Sequence, residues 1–165
     1  MSDSALTTAD APTGTESPLG PCTPHHGAWR SLAQTHAAVS GRLQDALTGA
    51  DLPPLAWFEM LAAIAETGGK MKMGELAEAL VISRGGLTKL VDRLVKAGLI
   101  ERTFCTTDRR VSYATLLPAG SELLAEMVPV VNAELEVAFA ANISIGEAEG
   151  LRGTLDRVRG TACSG

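Results

Sequence analysis

The chain has 165 residues, 45% of them hydrophobic and only 4% aromatic, and a formal net charge of −5. This suits one domain with an aliphatic core, and three widely spaced cysteines, Cys22, Cys105 and Cys163, make no disulfide framework. No apolar run approaches the length of a membrane span and the N-terminus lacks the features of a secretory signal, so a cytoplasmic protein is expected.

Residues 1–27, MSDSALTTADAPTGTESPLGPCTPHHG, are rich in Thr, Ser, Pro, Ala and Gly and lack helical periodicity. They hold too few large apolar groups to offset the entropy of ordering, and a disordered tail is predicted. From Ala28 the periodicity is helical: Trp29, Leu32, Ala33, His36, Val39, Leu43, Ala46 and Leu47 fall at three- and four-residue steps, the stripe of a first helix. Gly49, Asp51, Pro53 and Pro54 end it and open a second, with Leu55, Phe58, Leu61, Ala62 and Ala65 on one face and Gly68–Gly69 as its stop. KMKM then reads as a brief edge strand and GELAEAL as two helical turns with Leu76, Ala77 and Leu80 inward. Ser83 is a good N-cap for a longer helix whose stripe is Leu87, Leu90, Val91 and Leu94, and Gly98 is placed to end it. LIERTF and VSYATL follow as two strands joined by the polar tip CTTDRR.

This order, short helix, turn, longer helix, hairpin, has a physical use. A helix braced by a shorter one can lie in the major groove of duplex DNA, where base edges are distinguishable. A hairpin beside it can reach phosphates or the minor groove, whose potential attracts guanidinium groups. Charge is distributed accordingly. Residues 68–113 hold nine Lys or Arg against five Asp or Glu, a net +4, and the remainder five against fourteen, a net −9. Arg84, Thr88, Lys89, Asp92, Arg93 and Lys96 lie off the apolar stripe of the longer helix. Gly85 and Gly86 are poor helix formers, each costing roughly 0.8–1 kcal/mol in a helix interior, a cost that close approach to another surface would justify.

MGELAEALVISRGGLTKLVDRLVKAGLIERTFCTTDRRVSYATLLPAGSELL resembles the winged helix-turn-helix core of the MarR (multiple antibiotic resistance regulator) transcription factors. The resemblance spans about residues 28–160, with LTKLVDRLVKAGLIER and the DRR of the wing as its most specific parts. Pro118 stands where the family usually has Thr, so the next helix must be capped differently. The implied fold is mainly α (α+β). A winged helix-turn-helix occupies about residues 68–117, helices at about 28–48 and 119–160 form a dimerisation region, and 161–165 are a flexible end. The implied function is that of a sequence-specific regulator of transcription that binds double-stranded DNA. It would be a homodimeric repressor on a near-palindromic operator, released by a small ligand.

Carried over residue by residue, the resemblance sends Ser83, Arg84, Gly85, Gly86, Thr88 and Lys89 into the major groove and Arg93 towards backbone phosphate. The wing tip would contribute Thr107, Asp108, Arg109 and Arg110, with an arginine in the minor groove and Asp108 bracing it. The C-terminal stripe of Leu123, Leu124, Met127, Val130, Val131, Leu135 and Phe139, with Pro129 as a kink, and a last helix bearing Leu151, Leu155 and Val158 can serve the dimer. A pocket between dimerisation helices and winged domain would be lined by Trp29, His36, Trp57, Phe58 and Met60.

The alternative is a thiol- or metal-responsive regulator on the same scaffold. Cys105 lies near Arg109 and Arg110, which can lower a thiol pKa, and Cys22 loosely matches the reactive cysteine of the family's peroxide-sensing branch. Cys22, His25 and His26 are ligand types without a fourth member, so neither a metal nor a cofactor is expected. The chain carries no nucleophile elbow, phosphate-binding glycine loop, HExxH pair or carboxylate constellation, and no enzyme is expected.

Overall fold

The computed structural model describes residues 23–80, 82–104 and 111–162, without the side chains of Arg84 and residues 161 and 162. The chain divides into two units, residues 1–36 and 37–165. Helix α1, Pro24–Gly49, begins in the first and ends in the second. It starts four residues before Ala28 because Thr23 Oγ1 accepts the amide of His26 at 3.3 Å, a cap that lies ahead of the apolar stripe. Up to His36 its side chains are exposed, Trp29 by 69%.

In the second unit, α2 spans Leu55–Glu66, β1 Lys70–Lys72, α3 Met73–Ala79 and α4 Arg84–Lys96. The hairpin strands β2, Ile100–Phe104, and β3, Ser112–Leu116, follow, then α5, Pro118–Ala138, a single 3-10 turn at Ala140–Asn142, and α6, Ile145–Ala162. The strands form one antiparallel sheet in the order β1-β3-β2, with Met71 opposite Ala114 and Arg102 also opposite Ala114. The predicted winged helix-turn-helix is the fold observed, and KMK is an edge strand.

Local chemistry explains the boundaries. Pro54 offers α2 no side-chain cap, and Gln44 of α1 substitutes for one: its Oε1 accepts the Leu55 amide at 3.0 Å. Gly68 and Gly69 take φ of +78° and +85°, turning the chain from α2 into β1, and Gly98 takes +71° after α4. Pro118 is tolerated as the first residue of α5, where no amide is needed, and Leu117 caps that helix with no side-chain bond. Pro129 lies inside α5, which runs on to Ala138.

Two apolar clusters share α2. One joins Met60, Leu61 and Ile64 to Leu76, Leu80, Leu87, Leu90, Val91, Leu94, Leu99, Ile100 and Ala114, and is the core of the winged domain. The other joins Leu43, Leu47 and Leu55 to Met127 and Val131 of α5. Leu123 packs against both. Each fully buried side chain of this size contributes about 1.5–3 kcal/mol of transfer free energy, so α2 ties the winged domain to α1 and α5 through apolar packing. Arg42 of α1 donates from Nε to Glu134 of α5, an ion pair between elements 92 residues apart.

Candidate nucleic-acid interface

Helix α4 buries one side and exposes the other. Leu87, Leu90, Val91 and Leu94 are in the core, while Gly85, Thr88, Lys89, Asp92, Arg93 and Lys96 are exposed. The spacing of three and four residues makes both faces continuous. At its start the Ser83 backbone is extended and its Oγ accepts the Gly86 amide at 3.1 Å, the cap expected from the sequence. One of the first-turn amides is thereby satisfied; the positive end of the helix dipole remains at this exposed end. Arg93 and Lys96 occupy the last turn, where cations suit the opposite dipole end.

The preceding helix α3 is set by its own first turn. Glu75 accepts the Lys72 backbone amide at 3.3 Å and pairs with Lys72 Nζ at 3.1 Å. The Lys72 ammonium, then its amide, hold the Glu75 carboxyl below its ordinary pKa, and the same contact raises that of Lys72. On this outer sheet face the Lys70 ammonium also sits 4.7 Å from the centre of the Tyr113 ring.

The hairpin presents its two faces differently. Ile100, Arg102 and Phe104 alternate onto one face, opposite Leu116, Ala114 and Ser112. Ile100 and Ala114 are fully buried, Phe104 is 58% exposed, and the Arg102 guanidinium lies 5.4 Å from the Phe104 ring centre. Arg102 Nη2 also donates to Ser112 Oγ at 3.4 Å. In the sequence Arg102 registered only as charge; the signal that would have singled it out is the two-residue alternation of β2.

Ser83, Gly85, Gly86, Thr88, Lys89 and Arg93 are thus brought together on the exposed side and start of one helix beside the hairpin. Arg84 belongs to the same first turn. Thr107, Asp108, Arg109 and Arg110, with Cys105, lie outside the described residues, as does Cys22; the strands that flank the tip are paired up to Phe104 opposite Ser112. Of the candidate pocket residues, Met60 is fully buried in the winged-domain core, Trp57 is half-buried against that core and Phe58 against the second cluster. Trp29 and His36 are exposed in the N-terminal unit. Among the described residues no three His, Cys, Asp or Glu cluster as metal ligands, and no helix is long and apolar enough to cross a membrane.

Residues 50–111, from before α2 to the first residue after the wing tip, match the model of the MarR family. The chain is 37% identical over 60 residues to YsmB of Bacillus subtilis strain 168, an uncharacterized HTH-type transcriptional regulator. That match covers 36% of this chain and 41% of YsmB. Among solved structures, it is similar to Sco3205 of Streptomyces coelicolor, a MarR family transcriptional regulator in complex with DNA. There the identity is 25%, the TM-score 0.72, and the coverage 82% of this chain and 86% of that one. Bordetella bronchiseptica BpsR, whose DNA binding is regulated by 6-hydroxynicotinic acid, shares the fold at 21% identity and a TM-score of 0.68, covering 80% of this chain and 98% of its own. Through its helix-turn-helix the chain matches the MarR family model, and in its winged-helix fold it is similar to MarR family transcriptional regulators.

Proposed function

We propose that the protein is a homodimeric transcriptional repressor that binds a near-palindromic operator in double-stranded DNA and is released by a small ligand. The observation that carries this reading is α4: a Ser83-capped helix with an apolar face sunk in the winged-domain core and a face of Gly85, Thr88, Lys89, Arg93 and Lys96 open beside the hairpin. Ser83 to Lys89 would enter the major groove and Arg93 would meet phosphate. At the wing tip Thr107 would join the contact, Arg109 or Arg110 would reach into the minor groove, and Asp108 would brace the arginine. Sco3205, similar in fold, is seen with DNA, and BpsR supplies a precedent for ligand control. Within the second unit Trp57, Phe58 and Met60 are the proposed effector residues, and the cytoplasm is the proposed compartment.

A two-fold dimer carries one α4 per chain, so it must read two inverted half-sites. Both helices can enter successive major grooves on one side of the duplex only when the half-sites lie about 10–10.5 base pairs apart, centre to centre. Binding-site selection on the purified protein should therefore return near-palindromes. Inserting about five base pairs at the centre should drop affinity to the non-specific level, because one half-site turns to the opposite side. Affinity indifferent to that insertion, or a monomer on an asymmetric site, would sink the dimeric reading.

A further inference from the structure

We propose that Arg102 is a further DNA contact, a phosphate clamp between the recognition helix and the wing; this rests on the DNA-binding reading above. Along β2, Ile100, Arg102 and Phe104 share the face opposite Leu116, Ala114 and Ser112. The inner rungs of this face, Ile100 and Ala114, are fully buried in a cluster that includes Leu87, Leu90, Val91 and Leu94 of α4. The covered face is therefore the one turned to the winged-domain core, to which both α2 and α4 contribute, and Arg102 is the first residue outward of Ile100 on it to be exposed. Its side chain is exposed although its cross-strand partner Ala114 is fully buried.

That position has a definite counterpart on the duplex. Adjacent major and minor grooves are separated by one sugar-phosphate strand. A helix in the first and a hairpin tip in the second straddle that strand, and whatever stands between them faces its phosphates. Arg102 is held for this task. Its guanidinium lies 5.4 Å from the Phe104 ring centre, a platform that also accounts for an aromatic 58% exposed on a short strand. One N–H is directed to Ser112 Oγ at 3.4 Å. A guanidinium has five N–H donors in a rigid fork, so this bond leaves capacity for phosphate oxygens, and stacking orients the fork without neutralising its charge.

The experiment uses the full chain and the duplex that the wild type selects, with affinity measured from low to moderate salt. Arg102→Met keeps the stem and removes the charge. It should weaken binding to the selected and to unrelated duplexes alike. It should also flatten the plot of log affinity against log salt by about 0.9 for each phosphate no longer neutralised, hence by about two in a dimer. A folded Arg102→Met protein with weaker binding but an unchanged salt slope would show a brace of the hairpin only, and would overturn the proposal. Should that variant fail to fold, phosphate-ethylation interference on the wild-type complex decides. Interference on the strand between the two contacted grooves, abolished or weakened with Arg102→Lys, is expected, and its absence there overturns the clamp. Wild-type protein that binds no duplex at all would overturn the DNA-binding reading itself, and the clamp with it.

Discussion

A Cβ placed on Gly120 would lie 2.2 Å from the carbonyl oxygen of Leu99 and 2.8 Å from Leu116 Cδ1. Both neighbours are constrained, since that carbonyl accepts the Leu117 amide at 3.0 Å and the Leu116 amide is given to Gly69 at 2.8 Å. Gly120→Ala must therefore push α5 off the base of the wing. A loss of about 1–3 kcal/mol is expected from such overpacking, read as a lower denaturation midpoint; an unchanged midpoint would show that the backbone gives way freely. Gly85 is the opposite case. Nothing lies within 4 Å of a Cβ there, so Gly85→Ala should raise the melting temperature, stabilising the fold by less than the roughly 1 kcal/mol of helix propensity that holds in a helix interior, since Gly85 lies in the first turn of α4. If DNA approaches this turn as proposed, the same variant should bind the operator more weakly. Gain in both stability and affinity would refute the close approach. Gly86 is a poorer probe, because a Cβ there meets Ser83 Oγ at 3.2 Å and would disturb the cap as well.

Among the elements, α3 carries the clearest titration. Glu75 accepts from both the side chain and the amide of Lys72, and its folded pKa is lowered. A lowered carboxyl pKa stabilises the fold above the ordinary glutamate pKa, and that contribution drains as pH falls through the folded value. Glu75→Gln should therefore melt below wild type near neutral pH, with the gap closing in acid as the wild-type carboxyl protonates. Thermal melts across pH test this; a gap that persists undiminished in acid would assign the effect to something other than charge. Helix identities were legible because each depends on neighbours three or four residues away: Ser83 caps α4, Gly98 reverses after it, and the stripe of Leu87, Leu90, Val91 and Leu94 is indeed the buried one. The start of α1 was less legible, since Thr23 and Pro24 precede any apolar repeat.

For the whole molecule, the question is which apolar residues the chain covers by itself. In α5, Met127 and Val131 are buried, and Leu123 and Val130 pack against core clusters, which leaves Val128, Leu135 and Val137 on the exposed side, Val137 by 59%. In α6, Ile145, Leu151 and Val158 are exposed, by 82%, 41% and 58%. Exposed apolar side chains on the two C-terminal helices are what the proposed dimer would cover. Within an isolated chain Val137→Glu disturbs no core, so a folded protein is expected. In the dimer it should bury a charge, shift sedimentation towards the monomer and weaken operator binding with it. A Val137→Glu protein that remains dimeric with full affinity would move the interface away from this side of α5.

The succession of helices, the Ser83 cap, the turn at Gly98 and the hairpin were determined by the sequence alone, because amides, caps and period-two or period-3.6 faces are local matters. The segregation of positive charge into residues 68–113 was equally explicit, and it pointed to DNA in an acidic chain. Only the tertiary structure decided how the single stripe of α5 divides, with Leu123 and Val130 turned to the core and Leu135 left exposed. It likewise decided that Gly120 meets the Leu99 carbonyl, that Arg42 pairs with Glu134 and that Arg102 is exposed opposite the buried Ala114. Each of these depends on which surfaces meet across long stretches of chain, and periodicity records only that a face is apolar, not what comes to cover it.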